Sequence, residues 1–317
     1  MLPYNSPMPR RVAAKLHASP YLLLSLTAFF WALNWVVGRA MAGHVTPFAL
    51  TFVRWLLALA LMMPFAWPEI RAHRALIRRE WKRIAWLALW GTGPYNVFAY
   101  YGLQYTTATN GVILNSAVPI MIMLFGWAIY RDTITRVQAL GVAISFAGVL
   151  AILTRGDLSV LARLTLNKGD LVVLAGMACW SVYTILLRTK PAGLPGLALL
   201  ACCVCVGLLL LLPFVVIEML FLHGRFEVTP ATLAALLYLG VFPSFVGYIF
   251  WNRGVAEVGS NVAGIFMHLM PLFGALLAWI FLSEQIRPFH VAGIALILAG
   301  IALTTRGHRP VTAPAPE

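Results

Sequence analysis

Apolar stretches of roughly twenty residues, each set off by a short charged or turn-rich joint, occupy most of the chain, and a helix of about that length crosses about 30 Å of hydrocarbon. Ten such stretches are legible, over residues 21–41, 48–67, 84–104, 108–130, 137–154, 169–188, 196–221, 231–252, 261–282 and 289–305. Their apolar runs are continuous, unlike the alternating segments of a barrel strand. A backbone surrounded by lipid must hydrogen-bond to itself, so continuous runs predict helices. The expected fold is an all-α integral membrane bundle. Composition agrees: 61% of residues are hydrophobic, 10% are charged and the mean hydropathy is +0.86, whereas soluble domains carry about 25% charged residues.

The pattern also repeats. With a constant shift of 152, the thirty residues 119–148 align without a gap on 271–300, and eight positions are identical. They include Pro119 with Pro271, Trp127 with Trp279, Gly141 with Gly293 and Gly148 with Gly300; an acid recurs at Asp132 and Glu284. Fainter echoes join Trp31–Arg39 to Trp180–Arg188, and Gly91–Pro94 to Gly240–Pro243. A unit with an odd number of crossings inserts its second copy upside down. The ten spans are therefore expected to form two inverted five-helix repeats, a geometry that places a substrate site near the midplane and supports alternating access. Gly141 and Gly148, seven apart, share a helix face with room for close packing, as do Gly293 and Gly300. The fifth and tenth spans are assigned to scaffold, and Asp132 and Glu284 to capping the helices that follow them.

Charge sets the expected orientation. The net charge of +13 is divided among short joints, so it reads as topology and lipid-headgroup contact, and no nucleic-acid partner is expected. With the N-terminus inside, sixteen Lys and Arg face the cytoplasm and six face outward, Arg54 lying within a span. Both termini are expected in the cytoplasm. The first apolar stretch is too long for a cleaved signal core.

Polar residues inside spans are costly in lipid and mark candidate function. They concentrate in the first, third, fourth, sixth, eighth and ninth spans: Trp31, Asn34, Tyr95, Asn96, Tyr100, Asn110, Asn115, Trp180, Tyr183, Thr184, Tyr248, Asn252, Asn261 and His268 among them. Trp31, Asn34, Asn96, Tyr100, Asn115, Trp180, Tyr183, Tyr248 and His268 are the candidate substrate-binding residues. Several share faces at helical spacing and suit a ligand with a flat apolar body and a few hydrogen-bonding groups. Pro94, Pro119, Pro243 and Pro271 fall in the same spans and are candidate hinges. Arg54 lies about 10 Å below the outer surface, where it could snorkel as an anchor or hold a substrate carboxylate. His268 could titrate or serve as a neutral hydrogen-bonding group. Since every acid lies at a span end or in a joint, zwitterionic or neutral substrates fit better than cations.

Arg54 in Phe52-Val53-Arg54-Trp55, the Tyr105–Pro119 stretch, Asp132–Gly148 and the second-half copies Gly254–Pro271 and Glu284–Gly300 together resemble the ten-span EamA-type permeases of the drug/metabolite transporter superfamily. The resemblance covers about Tyr21 to Arg306. It implies export or exchange of small metabolites, including amino acids, across a bacterial inner membrane.

The expected organisation is a cytoplasmic tail over 1–20, five-helix repeats over 21–155 and 169–306, and a second tail over 307–317. Motifs of hydrolases, zinc peptidases and phosphate-binding loops are missing from the sequence, so a transporter and not an enzyme is expected. Cys179, Cys202, Cys203 and Cys205 sit in apolar spans, where thiolate formation is disfavoured. No cofactor or metal is expected. The expected partners are a small-molecule substrate and the lipid bilayer, with a monomer as the working unit. A channel or a lipid-linked glycan flippase is the alternative.

Overall fold

A computed structural model describes residues 19–106, 111, 114–154, 156–157, 167–282 and 288–306. Among them the regular secondary structure is helical, apart from one isolated antiparallel bridge between Val45 and Phe226. The helices are α1 (Pro20–Ala40), α2 (Pro47–Ala72), α3 (Arg74–Arg79), α4 (Trp81–Gly91), α5 (Pro94–Gly102), α6 (Val118–Tyr130) and α7 (Arg136–Leu153). They continue with α8 (Lys168–Leu186), α9 (Gly196–Phe221), α10 (Pro230–Leu239), α11 (Gly247–Ile265), α12 (Leu269–Leu282) and α13 (Pro288–Arg306).

Seven described helical segments are long and apolar enough to cross a membrane, and α6 adds a shorter apolar helix of 13 residues. The difference from ten has local causes. The third expected span is broken at Gly91–Gly93 into α4 and α5, because Pro94 cannot continue a helix and instead opens one at its first turn. The expected eighth and ninth spans run together as Pro230–Leu277, 48 residues in which Gly259 is non-helical, with φ 75° and ψ 161°. That conformation is open to glycine. Asn110, Glu284, residues 1–18 and residues 307–317 lie outside the described residues.

Helix starts follow ordinary capping chemistry. Thr135 and Gln138 form a capping box on α7, and Asn167 with Asp170 does the same on α8. The capping role expected of Asp132 thus belongs to Thr135; Asp132 instead binds Arg188. The start of α2 is capped from another helix. Glu218 of α9, 7% exposed, accepts from Phe48 N at 3.2 Å and Ala49 N at 2.9 Å, placing a carboxylate on the positive end of the α2 dipole.

Two helix pairs make the scaffold. α2 packs antiparallel on α9, with Phe48 stacked on Phe214 at 5.5 Å. α7 packs on α13 so closely that a methyl added at Gly148 would stand 2.6 Å from the Gly293 carbonyl oxygen, and one at Gly293 2.7 Å from that of Gly148. Gly141 and Gly300 face each other in the same way. The outer faces of these helices are apolar and bare, as Leu209 and Leu220 on α9 and Leu298 on α13 illustrate, which suits lipid contact. Inside this frame α1 packs on α11, and α5 on α8.

Candidate functional site

α1 carries Trp31 and Asn34 on one inward face, both buried. The helix breaks shape what these residues meet. Pro243 has no N–H to bond the Leu239 carbonyl, and the chain there widens into a π-helical segment over Gly240–Val246. Ser244 Oγ takes over that carbonyl at 2.6 Å. The Pro243 carbonyl accepts from Trp31 Nε1 at 3.0 Å. At the other break the Gly91 carbonyl accepts from Tyr248 OH at 2.7 Å. Gly91 also leaves room for the Tyr183 ring, which any side chain at that position would overlap. Both prolines therefore sit where the sequence places candidate hinges, and both breaks turn backbone carbonyls toward the same centre.

That centre is a cluster of indole and phenol rings. Trp180 meets Trp31 edge-on at 4.9 Å, Tyr183 at 5.2 Å, Tyr95 and Tyr248 at 5.3 Å, and Trp251 at 5.5 Å. Trp55 lies 4.8 Å from Tyr248. Beside the rings stands a polar knot. Arg54 donates from Nε to Ser244 Oγ at 2.7 Å and from Nη1 to Asn34 Oδ1 and Asn96 Oδ1, each at 3.0 Å. Nη1 also meets Tyr100 OH, which itself donates to Asn34 Oδ1 at 2.9 Å. The side chain does not snorkel: Arg54 is 1% exposed and its guanidinium points into the bundle.

Seven of the nine candidate binding residues meet here. Asn115 and His268 do not. Asn115 Nδ2 faces Met270 Sδ at 3.1 Å. His268 lies between Ser145 Oγ, 2.8 Å from Nδ1, and the Ser116 carbonyl, 3.0 Å from Nε2. The carbonyl can only accept, so Nε2 carries a proton and Nδ1 can accept from the Ser145 hydroxyl; the neutral ring satisfies both partners. Pro119 opens α6, and Pro271 lies in the first turn of α12.

Two members of the ring cluster, Trp55 and Trp251, escaped the sequence reading. Trp251 stands three residues after Tyr248 and so on the same helix face, a signal that was available. Trp55 lies in the second span, which falls outside the set that concentrates polar residues.

A cavity of about 940 Å³ opens at the end of the bundle that carries the 131–135 and 187–195 joints. Thr184, Asn252 and Asn261 line it, together with Asp132, Arg188 and Glu257. Tyr183 OH donates to Asn252 Oδ1 at 2.9 Å, tying the cavity wall to the aromatic cluster. At its rim Arg188 grips both oxygens of Asp132, at 2.9 and 2.5 Å. At the opposite end, one length of α9 away, two joints pair: Thr46 N donates to the Arg225 carbonyl at 2.9 Å and Glu227 N to that of His44 at 3.0 Å.

A lipid-facing helical exterior around a buried core of aromatic and polar groups, with a cavity reaching it from one end, defines a multi-pass membrane transporter. The sequence agrees: residues 18–154 and again 167–306 match the EamA-like transporter family, and the chain belongs to that family, within the drug/metabolite transporter superfamily. An "Uncharacterized transporter" of Archaeoglobus fulgidus is 31% identical over 92% of this chain and 98% of its own. A "Probable terminal-alkyne amino-acid exporter" of Streptantibioticus cattleyicolor is 27% identical over 75% of this chain and 76% of its own. A crystal structure at 20% identity superposes with a TM-score of 0.70 over 91% of this chain and 96% of that one, a likeness of fold. The protein is a transporter of a small molecule and not an enzyme.

Proposed function

We propose that this chain is a secondary carrier of a bacterial inner membrane that exports a small metabolite, an amino acid or a similar zwitterionic or neutral compound with an aromatic body, by alternating access. It does so as a monomer of ten spans in two inverted five-helix repeats, over 21–155 and 169–306, with both termini in the cytoplasm. The seven candidate residues that meet at the ring cluster and Arg54 form the path, and the four prolines let it bend.

Reciprocal contacts support the inverted pair. Under the shift of 152, Gly300 is the counterpart of Gly148 and Gly293 of Gly141. Gly141 faces Gly300 while Gly148 faces Gly293, the exchange that a two-fold axis produces. Residues on such an axis meet their own counterparts, as Ser116 meets His268 across 152 positions and Trp31 meets Trp180. The 48-residue segment Pro230–Leu277 is about 70 Å of helix, enough for two crossings that turn at Gly259.

One observation carries the transport reading: a cavity opens at one end of the bundle, and a buried cluster of packed rings is tied to its wall. The basic joints support a cytoplasmic position for that cavity, which favours loading from inside and hence export. The resemblance to an amino-acid exporter favours the substrate class. Counterflow in proteoliposomes tests the mechanism. A carrier loaded with unlabelled tryptophan or phenylalanine accelerates uptake of the labelled compound; uptake indifferent to internal load would indicate a channel, and scrambling of labelled lipid a flippase.

A further inference from the structure

We propose that Arg54 is the counter-charge for a carboxylate on the carried solute, held ready by neutral groups. The proposal rests on the carrier reading above and names a chemical requirement of its substrate.

A guanidinium taken out of water needs compensation, and a buried cation with no anion is costly. The partners of Arg54 are an amide oxygen each from Asn34 and Asn96, the Ser244 hydroxyl and the Tyr100 phenol, all uncharged. Among the described residues no carboxylate forms an ion pair with it. The buried acids are engaged elsewhere: Glu218 caps α2, and Asp170 accepts from Thr106 while boxing the start of α8. An anchor designed only for stability would be better served by a resident carboxylate. Neutral partners, in contrast, can be displaced by an arriving anion without stranding a negative charge.

The surroundings also lean toward an anion. The indole Nε1 groups of Trp55, Trp180 and Trp251 are buried with no acceptor among the described residues. Each belongs to a side chain that is 1% exposed, and the Arg54 guanidinium carbon stands 5.8 Å from the Trp55 ring. α5, nine residues long, starts at Pro94, so Asn96 lies in its first turn, where the helix dipole is positive. Half-helix starts of this kind favour anionic substrate groups in carriers. A planar carboxylate matches a guanidinium fork with two parallel hydrogen bonds, and the indole and phenol walls suit the apolar remainder of the solute. Access from the cavity passes Tyr183, whose bond to Asn252 ties the ring cluster to the cavity wall.

Matched probes test the proposal on the full chain. Thermal shift in detergent and counterflow in proteoliposomes would compare tryptophan with tryptamine, phenylalanine with phenethylamine, and indole-3-acetate with indole. The carboxylate-bearing member of each pair is expected to bind at least about tenfold more tightly, the size of a charge-assisted hydrogen bond. Arg54→Lys should keep part of that preference and Arg54→Gln should abolish it. The wild-type comparison stands without either variant. Amines carried as well as their parent acids, or a preference that survives in Arg54→Gln, would overturn the assignment and leave the carrier reading intact. Failure of every probe in both assays would remove the carrier reading for this substrate class, and the assignment with it.

Discussion

The seam between α7 and α13 and the centre between α1, α5, α8 and α11 are both buried and tightly packed, yet they are built on opposite terms. At the seam, backbone lies against backbone: Gly148 and Gly293 leave no space for a methyl, and Thr304 Oγ1 is returned to the Gly300 carbonyl at 3.0 Å. The Thr304 and Thr305 hydroxyls are spent within their own helix. At the centre, helices are interrupted, and among the described residues a cation lacks an ion-pair partner and indole donors lack acceptors. Packing supplies stability at the seam, whereas at the centre stability is given up for groups that can change partners.

Substitutions can separate the two regions. The largest effect is expected at the seam: Gly148→Leu should cost about 3 kcal/mol by overpacking, read as loss of monodisperse protein in size-exclusion chromatography. Gly196→Ala, with open space around it, should leave the melting temperature nearly unchanged. A seam that accepted Gly148→Leu would erase the contrast.

Trp180→Phe at the centre should behave the other way round. Thermal stability is expected to fall by less than about 1.5 kcal/mol, while counterflow rate drops at least about tenfold, equivalent to about 1.4 kcal/mol at the limiting barrier. Equal losses in both measurements would make the ring cluster an ordinary core.

Glu218→Gln tests the second scaffold pair, α2 with α9. One of the two backbone N–H groups would keep an acceptor in the amide oxygen while the other would face the NH2 group, and the charge would be lost, so the expected cost is about 2 kcal/mol, seen as faster hydrogen exchange confined to the first turn of α2.

The smallest effect is expected at the end opposite the cavity. His44 Nδ1 and Glu227 Oε2 are 2.6 Å apart, and this hydrogen bond holds the Glu227 carboxyl below its ordinary value of 4.5. A lowered carboxylate contributes stability in full above its unfolded value and loses it as pH falls through the folded one. Amide protection at Thr46 and Glu227 should therefore decline only on acidification below that range, and Glu227→Gln should remove the decline. Both side chains are solvated, so the effect should stay within the two loops.

Membrane residence, helical structure and duplication were legible in the chain itself, because a run of about twenty apolar residues and a shift of 152 are properties of one dimension. The seam was legible too, since Gly141 and Gly148 needed only helical spacing to share a face. The site was half legible. Polar and aromatic residues inside spans marked most of its members, but spacing along a helix cannot say which face turns inward. So Trp55 was passed over with its span, Arg54 was free to read as a snorkelling anchor, and Asn115 and His268 were grouped with rings they do not touch. Asp132 looked like a cap until Arg188, 56 positions away, took both its oxygens.

By itself, then, the sequence determined that this chain forms helices in lipid, that it does so twice, and which spans carry polar groups. Only the tertiary structure decided who meets whom: the packing of α1 against α11 and of α5 against α8 sets the rotation of each helix, and that rotation selects the partners of Arg54, Trp180 and Tyr183 from residues 20 to 190 positions away. Hydrogen bonds and ring contacts act over a few ångströms, and distances of that order between remote segments exist only once the bundle has closed.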